Sequence, residues 1–503
     1  MKRDGFAGRY IIKIGSSVIL AALNALIQLI LPRTLSVEGY AYYSYNLNVF
    51  TAVVVMANLS ASSALASKYS KRNDEFGIVK FYLKYVAVIS CVLNIGVLAL
   101  CCTPFSKTLF HNQTVFLVIL GLNAAVFNKL LTDVISMYDA QAISRFPAII
   151  QIGLKIAMSL LICAAYYLSS LDLKLFYIVQ IITTAASVII LVAELHKDSK
   201  NKYENLICKS SREYISEFWD YCKPLIVVNV WSQLNVVVMN WALMNYAGEK
   251  SQAMFGVALQ LNVLLAYVFS PYAELLKREF AIVADHTEQL IFRFKQALRQ
   301  MYWVTAYFSI FVFVFADWTV LFLFGEDYLS SVTTVRLMMI YTLYQAWGQV
   351  AGSYYLATEQ TKKSAVMSGV GLILTLFFVY VFQIPNALIG DSLGSVGIAL
   401  NYSLTNLIST IISVCFCFYL LGQKQIEHII IQFSAICECG IAAILVRLVV
   451  NTLAEWTDID FVAIKFLTSG IIYTAVMGLI VMLIPEQMGI SREKLKKLMY
   501  RKK

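Results

Sequence analysis

Residues Tyr10–Leu31 read YIIKIGSSVILAALNALIQLIL, an apolar run with a single charged side chain, Lys13. The hydrocarbon core of a bilayer is about 30 Å thick and takes about 20 helical residues to cross. This run is long enough. The basic Met1-Lys2-Arg3 ahead of it imitates a secretory leader, but the apolar region of a leader is only about 7–15 residues long. The stretch therefore reads as a first transmembrane helix.

Similar runs recur along the whole chain. They are Ala41–Ala66, Phe81–Cys102, Gln113–Val134, Phe146–Leu168 and Leu173–Leu195, then Pro224–Tyr246, Ala253–Leu275, Met301–Phe324, Val332–Leu356, Ser364–Phe382 and Ser395–Leu420. A last pair is Ile429–Leu453 and Phe461–Ile484. The expectation is an all-α polytopic membrane protein with about fourteen transmembrane helices. Composition agrees: charged residues make up 14% of the chain and apolar ones 59%, where a soluble protein carries about 25% charged.

Lysine and arginine collect in alternate loops. One set holds Lys68, Lys71, Arg72 and Lys80; Lys197, Lys200, Lys202, Lys209 and Arg212; Lys277, Arg278, Arg293, Lys295 and Arg299; and Lys362 and Lys363. Both chain ends belong to that set, the last through Arg492, Lys494, Lys496, Lys497, Arg501, Lys502 and Lys503. The other set holds only Arg33, Lys107, Lys174 and Lys250, beside Glu326, Asp327, Asp391, Glu455, Asp458 and Asp460. Basic loops stay in the cytoplasm, so both termini are expected there. The net charge of +10 thus follows topology and gives no nucleic-acid surface.

The ten cysteines do not pair into a framework. Most lie in apolar segments as small apolar residues, while Cys208 and Cys222 fall in a loop expected in the reducing cytoplasm. Cys437-Glu438-Cys439 lacks a second ligand pair at zinc spacing, so no metal is expected. No Gly-rich P-loop occurs and no cofactor is implied.

The loop-length pattern of the first six spans returns in the next six, at a shift of about 212 residues. In both places a short outer loop with Glu38-Gly39 or Gly248-Glu249 precedes a helix ending in basic residues. Even-numbered repeats keep one orientation, so the expected layout is two parallel six-helix bundles around a central cavity, plus two extra C-terminal helices. The divisions are 1–212, 213–421 and 422–503.

Polar residues within spans mark candidate sites, because they are costly there. Lys13, Ser17, Asn24 and Gln28 share one face of the first helix; Asn229, Gln233 and Asn240 share one of the seventh; Gln260, Tyr267, Pro271 and Glu274 share one of the eighth. Such stripes either line a hydrated cavity or join helices by hydrogen bonds; three in the leading helix pairs favour the cavity. Lys129 and Asp133 sit one turn apart in the fourth span and can neutralise each other. Arg145 flanks the fifth span and Lys155 enters it; Arg33 and Arg336 lie at span ends. Glu438 and Arg447, in the thirteenth span, suggest mutual or inter-helix pairing. Cations outnumber acids among these groups, which suits an anionic ligand such as pyrophosphate. Asp133 and Glu274 are the candidates for an ion-coupling role.

The segment Leu31-Pro32-Arg33-Thr34-Leu35-Ser36-Val37-Glu38-Gly39-Tyr40-Ala41-Tyr42-Tyr43-Ser44 follows this polar-studded first helix. It resembles the leading segment of bacterial polysaccharide repeat-unit flippases, where Pro-Arg-x-Leu runs into an acidic-Gly-Tyr step. Arg145 and Lys155 resemble that family's basic fifth-helix pattern. These flippases belong to the superfamily of multidrug and toxic compound extrusion transporters and the lipid II flippase. The resemblance covers the chain in span count and loop rhythm. It implies a non-enzymatic flippase of the bacterial cytoplasmic membrane that moves undecaprenyl-pyrophosphate-linked oligosaccharide to the outer leaflet by alternating access, for surface polysaccharide such as O-antigen or capsule. Implied partners are membrane lipids, a proton or sodium coupling ion and the polysaccharide polymerase machinery. The candidate substrate contacts are Lys13, Asn24, Gln28, Arg33, Lys129, Arg145, Lys155, Gln233, Gln260 and Arg336, of which Lys13, Arg145 and Lys155 match the cationic lumen residues that the resemblance implies.

Two other readings stand beside it. A multidrug extruder of that superfamily would have twelve spans and an acid in the first helix, where this chain has Lys13. A membrane polysaccharide polymerase would have a large external loop, and the outer loops here are no longer than about a dozen residues.

Overall fold

The computed structural model describes residues 6–72, 75–141, 143–202, 210–358, 360–388, 391–423, 426–457 and 461–485. The basic C-terminal tail lies outside them. So do the side chains of Lys13 and Glu274, although both residues fall on helices.

The described residues form helices and turns, with no strand. In order they are α1 (Phe6–Thr34), α2 (Val37–Ala57), α3 (Ala61–Lys71), α4 (Phe76–Cys101), α5 (Ser106–Phe110), α6 (Val115–Ala140), α7 (Arg145–Tyr167) and α8 (Leu173–Lys202). Then come α9 (Ser211–Ile282), α10 (Thr287–Val314), α11 (Ala316–Leu323), a 3-10 turn (Glu326–Ser331), α12 (Val332–Ala357), α13 (Thr361–Phe382), α14 (Gly394–Leu420), α15 (Ile426–Thr457) and α16 (Val462–Leu483). Helices answer the bilayer's demand that every backbone polar group be satisfied within its own segment.

Among the described residues, eleven helices are long and apolar enough to cross a bilayer, or twelve if the pair α2–α3, bent by 57°, forms one span. The bend comes from Leu59 and Ser60, both at positive φ, and the Asn58 side chain accepts the Ser62 N–H at 3.0 Å to start α3. One of the eleven, Leu225–Tyr267 inside α9, has 43 residues. Straight, it would measure about 65 Å, twice a bilayer core. It reverses instead at Gly248, whose φ of 75° and ψ of −176° are open almost only to glycine. The Gln252 amide reaches Asn240 at 3.0 Å, where a straight helix would part them by about 18 Å. Two expected spans thus meet at this reversal.

α12 is more polar than these helices but long enough to cross, and its neighbours absorb that polarity. Ser403 and Asn406 of α14 donate to the Leu337 and Tyr341 carbonyls at 2.6 and 3.0 Å, and Trp347 donates to the Leu298 carbonyl of α10 at 3.3 Å. Elsewhere apolar faces turn outward: Val88, Val92 and Ile95 of α4 are each more than 60% exposed, on one helix face. That suits lipid, not water.

The chain divides into two compact units, Met1–Ala253 and Met254–Lys503. The first has a core of Tyr69, Phe76, Tyr82 and Tyr138. The second is centred on Phe294, Trp347, Phe418 and Tyr473, and α15 and α16 pack into it against α10 and α11. The small buried residues Ala435, Cys439, Ala442 and Ala443 let α15 approach α10 closely.

Candidate functional site

In the first unit, α6 carries Lys129 and Asp133 one turn apart, and the two form an ion pair. Asp133 is 2% exposed. Lys129 binds its Oδ1, while the Tyr82 hydroxyl of α4 donates to Oδ2 at 2.5 Å. Asn58, at the α2–α3 bend, donates to the same hydroxyl at 2.9 Å. Both carboxylate oxygens are therefore engaged. Beside them lies a small recess lined by Asn58, Ser90, Lys129 and Asp133 on an otherwise apolar wall. Tyr82 and Asn58 escaped the sequence reading. Their only signal was a polar group in an apolar run, and their partners lie far along the chain.

Lys155 has a different setting. It is half-buried on α7, and among the described residues the one polar contact of its ammonium is the Met158 sulfur at 3.7 Å. Ten residues separate it from the start of α7 at Arg145, which places it about 15 Å into the helix, half the thickness of a bilayer core. α7 packs on α1 and α8. On α1, Asn24 and Gln28 are half-buried, and Gln28 donates to the Tyr43 hydroxyl at 2.9 Å.

Arg33 ends α1 and Arg145 begins α7, both exposed. With three spans between them, α1 and α7 run in the same direction, so these arginines sit at opposite membrane faces. In α9, Asn229 donates to the Val55 carbonyl at 3.3 Å and Asn240 accepts from Asn48 of α2 at 3.2 Å. Those members of the stripe tie α9 to α2, while Gln233 beside them is half-buried. Buried Gln260 and half-buried Arg336 belong to the second unit.

At the lysine-rich end of the first unit, Arg72 bridges Glu217 at 2.6 Å and Glu75 at 3.1 Å, and Tyr214 donates to buried Glu75 at 2.5 Å. The hydrogen bond to Glu217 raises the arginine's already high pKa, so Arg72 stays charged. In the second unit, Arg447 of α15 finds its partner in Asp317 of α11, at 2.5 Å, and also binds the Val314 carbonyl.

No model of a known family matches the sequence, and no curated protein does. Solved structures do match in fold. A multidrug resistance MATE family transporter of the MOP superfamily, in its inward-facing conformation, superposes with a TM-score of 0.64 at 13% identity over 82% of this chain and 98% of its own. The outward-facing form of a MATE family transporter gives 0.58 at 13% identity, over 82% and 96%. The lipid II flippase MurJ, in an inward closed conformation, gives 0.61 at 14% identity and extends over 94% of this chain and 98% of its own. The extra share it covers is comparable in length to α15 and α16. The chain has the helical fold these transporters share.

Proposed function

We propose that the chain is a flippase that carries a lipid-linked oligosaccharide, attached through pyrophosphate to a polyprenyl such as undecaprenyl, from the inner to the outer leaflet of a bacterial cytoplasmic membrane. The observation that carries this reading is Lys155, an ammonium halfway along a membrane helix whose one polar neighbour among the described residues is a thioether. A lysine at that depth costs about 2.5–3.5 kcal/mol. An anionic substrate supplies the missing counter-charge, and a pyrophosphate offers several strong acceptors. Asn24 and Gln28, on the helix packed against α7, are assigned to sugar hydroxyls. Asp133 and Glu274 are assigned to a coupling proton or sodium ion. The fold shared with MurJ, over nearly the whole chain, supports a lipid-linked cargo.

The MATE superposition supports drug extrusion as a second reading. The absence of an acid from Tyr10–Leu31 weighs against it. Deleting the gene and analysing lipid-linked oligosaccharides by mass spectrometry decides between them. Repeat units that accumulate on polyprenyl pyrophosphate while surface polymer is lost are the expected result. Unchanged polymer and no accumulated intermediate, with altered drug sensitivity, sink the flippase reading.

A further inference from the structure

A second small recess lies within the second unit, between α10, α12 and α15. Arg299 and Tyr302, three residues apart on one face of α10, line it together with Gln432 of α15. Tyr302 is 2% exposed, and its hydroxyl meets no hydrogen-bond partner among the described residues. The buried amide nitrogen of Gln432 meets none there either. Trp347 also lines the recess, its ring centre 5.4 Å from that of Tyr302, but its N–H goes to the Leu298 carbonyl at 3.3 Å. Buried donors left unmet are costly, so two of them in one recess, beside a guanidinium, call for an acceptor.

Chemistry and position narrow the acceptor. Guanidinium, amide nitrogen and phenol all offer protons. A buried water makes about three hydrogen bonds and must give as well as receive, whereas an anionic oxygen only receives. One turn from Arg299, towards the lysine-rich end of α10, Lys295 donates to Gln423 at 2.9 Å with one of its three protons. Gln432 lies two residues inside the apolar stretch Ile430–Trp456, about 3 Å below its start, where the head groups of a bilayer give way to hydrocarbon. Its neighbours Ile430 and Phe433 are mostly exposed and offer apolar surface to acyl chains at that depth. Basic pockets between membrane helices on the cytoplasmic side suit anionic lipid head groups. The recess is small and partly open, which suits the oxygens of a phosphodiester rather than a linked oligosaccharide.

We propose that this recess binds the phosphate of a resident anionic phospholipid of the phosphatidylglycerol type. Arg299, Tyr302 and Gln432 are its donors, and Ile430 and Phe433 lie along its chains. The lipid bridges α10 and α15, which pack against each other, and fastens α15 to its bundle. It is a fixed part of the protein rather than its cargo, so the inference stands whatever the chain transports.

Tyr302→Phe combined with Gln432→Leu tests it, because the pair removes both unmet donors and adds no polar group. The full chain, stripped of lipid in detergent, is titrated with dioleoylphosphatidylglycerol or dioleoylphosphatidylcholine and followed by native mass spectrometry and thermal unfolding. One phosphatidylglycerol is expected to stay bound, at least about tenfold more tightly than phosphatidylcholine, and to raise the unfolding temperature. The double variant should bind it at least about tenfold more weakly, as hydrogen bonds to a charged group imply, yet unfold no earlier than the unsubstituted chain when lipid is absent. A variant destabilised equally with and without phosphatidylglycerol places the two groups in internal packing and overturns the site. Binding that the substitutions leave unchanged, or equal retention of phosphatidylcholine, overturns it as well. Inorganic phosphate that displaces the lipid and stabilises the stripped protein equally identifies a free-phosphate site. Displacement by undecaprenyl phosphate at equal concentration identifies a cargo site. Either result removes the resident lipid.

Discussion

Two lysines of the first unit lie inside membrane helices and meet opposite surroundings. Lys129 has Asp133 one turn further along its own helix, with Tyr82 and Asn58 completing the carboxylate's bonds. Around Lys155 the same positions, one turn either way, hold Gln151, Met158 and Ser159, none of them an acid. The cost of inserting either charge is similar, yet among the described residues Lys129 meets an acid and Lys155 does not. A charge balanced by its own fold can serve structure alone. One left unbalanced needs something from outside.

The largest effect is expected where that compensation is removed. Asp133→Leu leaves the half-buried Lys129 unpaired inside a membrane helix, and should cost about 3 kcal/mol, read as early loss of the monodisperse peak when detergent-solubilised protein is heated. Lys129→Met combined with Asp133→Leu should recover most of that stability, since an apolar pair of similar volume often replaces a buried ion pair without loss. A benign single variant would mean that the pair is not what shelters Lys129. At Lys155 the order reverses. Lys155→Met should leave stability unchanged or improved while lipid-linked oligosaccharide translocation falls at least about tenfold, equivalent to about 1.4 kcal/mol. Lys155→Arg should retain part of the activity. Wild-type translocation by Lys155→Met would reassign that lysine to packing.

How much of this was legible in the sequence follows from the range of each interaction. Spans are read from about 20 consecutive residues, so the expected segments fall on helices, with the second and the ninth each broken into two. The Lys129–Asp133 pair is visible because a helix brings residues four apart together. Tyr82 was hidden, since it meets Asp133 from 51 residues away. The bend at Leu59 and Ser60 gave no warning either, as neither glycine nor proline stands there. Gly248 announced a turn, but nothing in the sequence said that the Tyr42 hydroxyl would bind Glu249 beside it at 2.8 Å. Asp317 went unremarked inside the ninth expected span because its partner lies 130 residues further on.

Arg447 gives the comparison a third member: a membrane cation balanced by another helix instead of its own. Its guanidinium meets Asp317 through two nitrogens, at 2.5 and 3.2 Å, and lies 5.2 Å from the centre of the Trp318 ring. It also binds the Val314 carbonyl, which is left without a helical partner because α10 ends there and α11 starts at Ala316. One planar fork thus serves a carboxylate, a helix end and an indole, which a single ammonium cannot do. Arg447→Lys should therefore lower stability by about 1 kcal/mol, in line with polar contacts between membrane helices, and lower it more than Asp317→Asn does. Translocation by Arg447→Lys should stay close to wild type, because this cation, like Lys129, is already satisfied. Lost translocation at unchanged stability would break the rule drawn from the two lysines. Pairing within the fold would then no longer separate the charges that hold the protein together from those that meet its cargo.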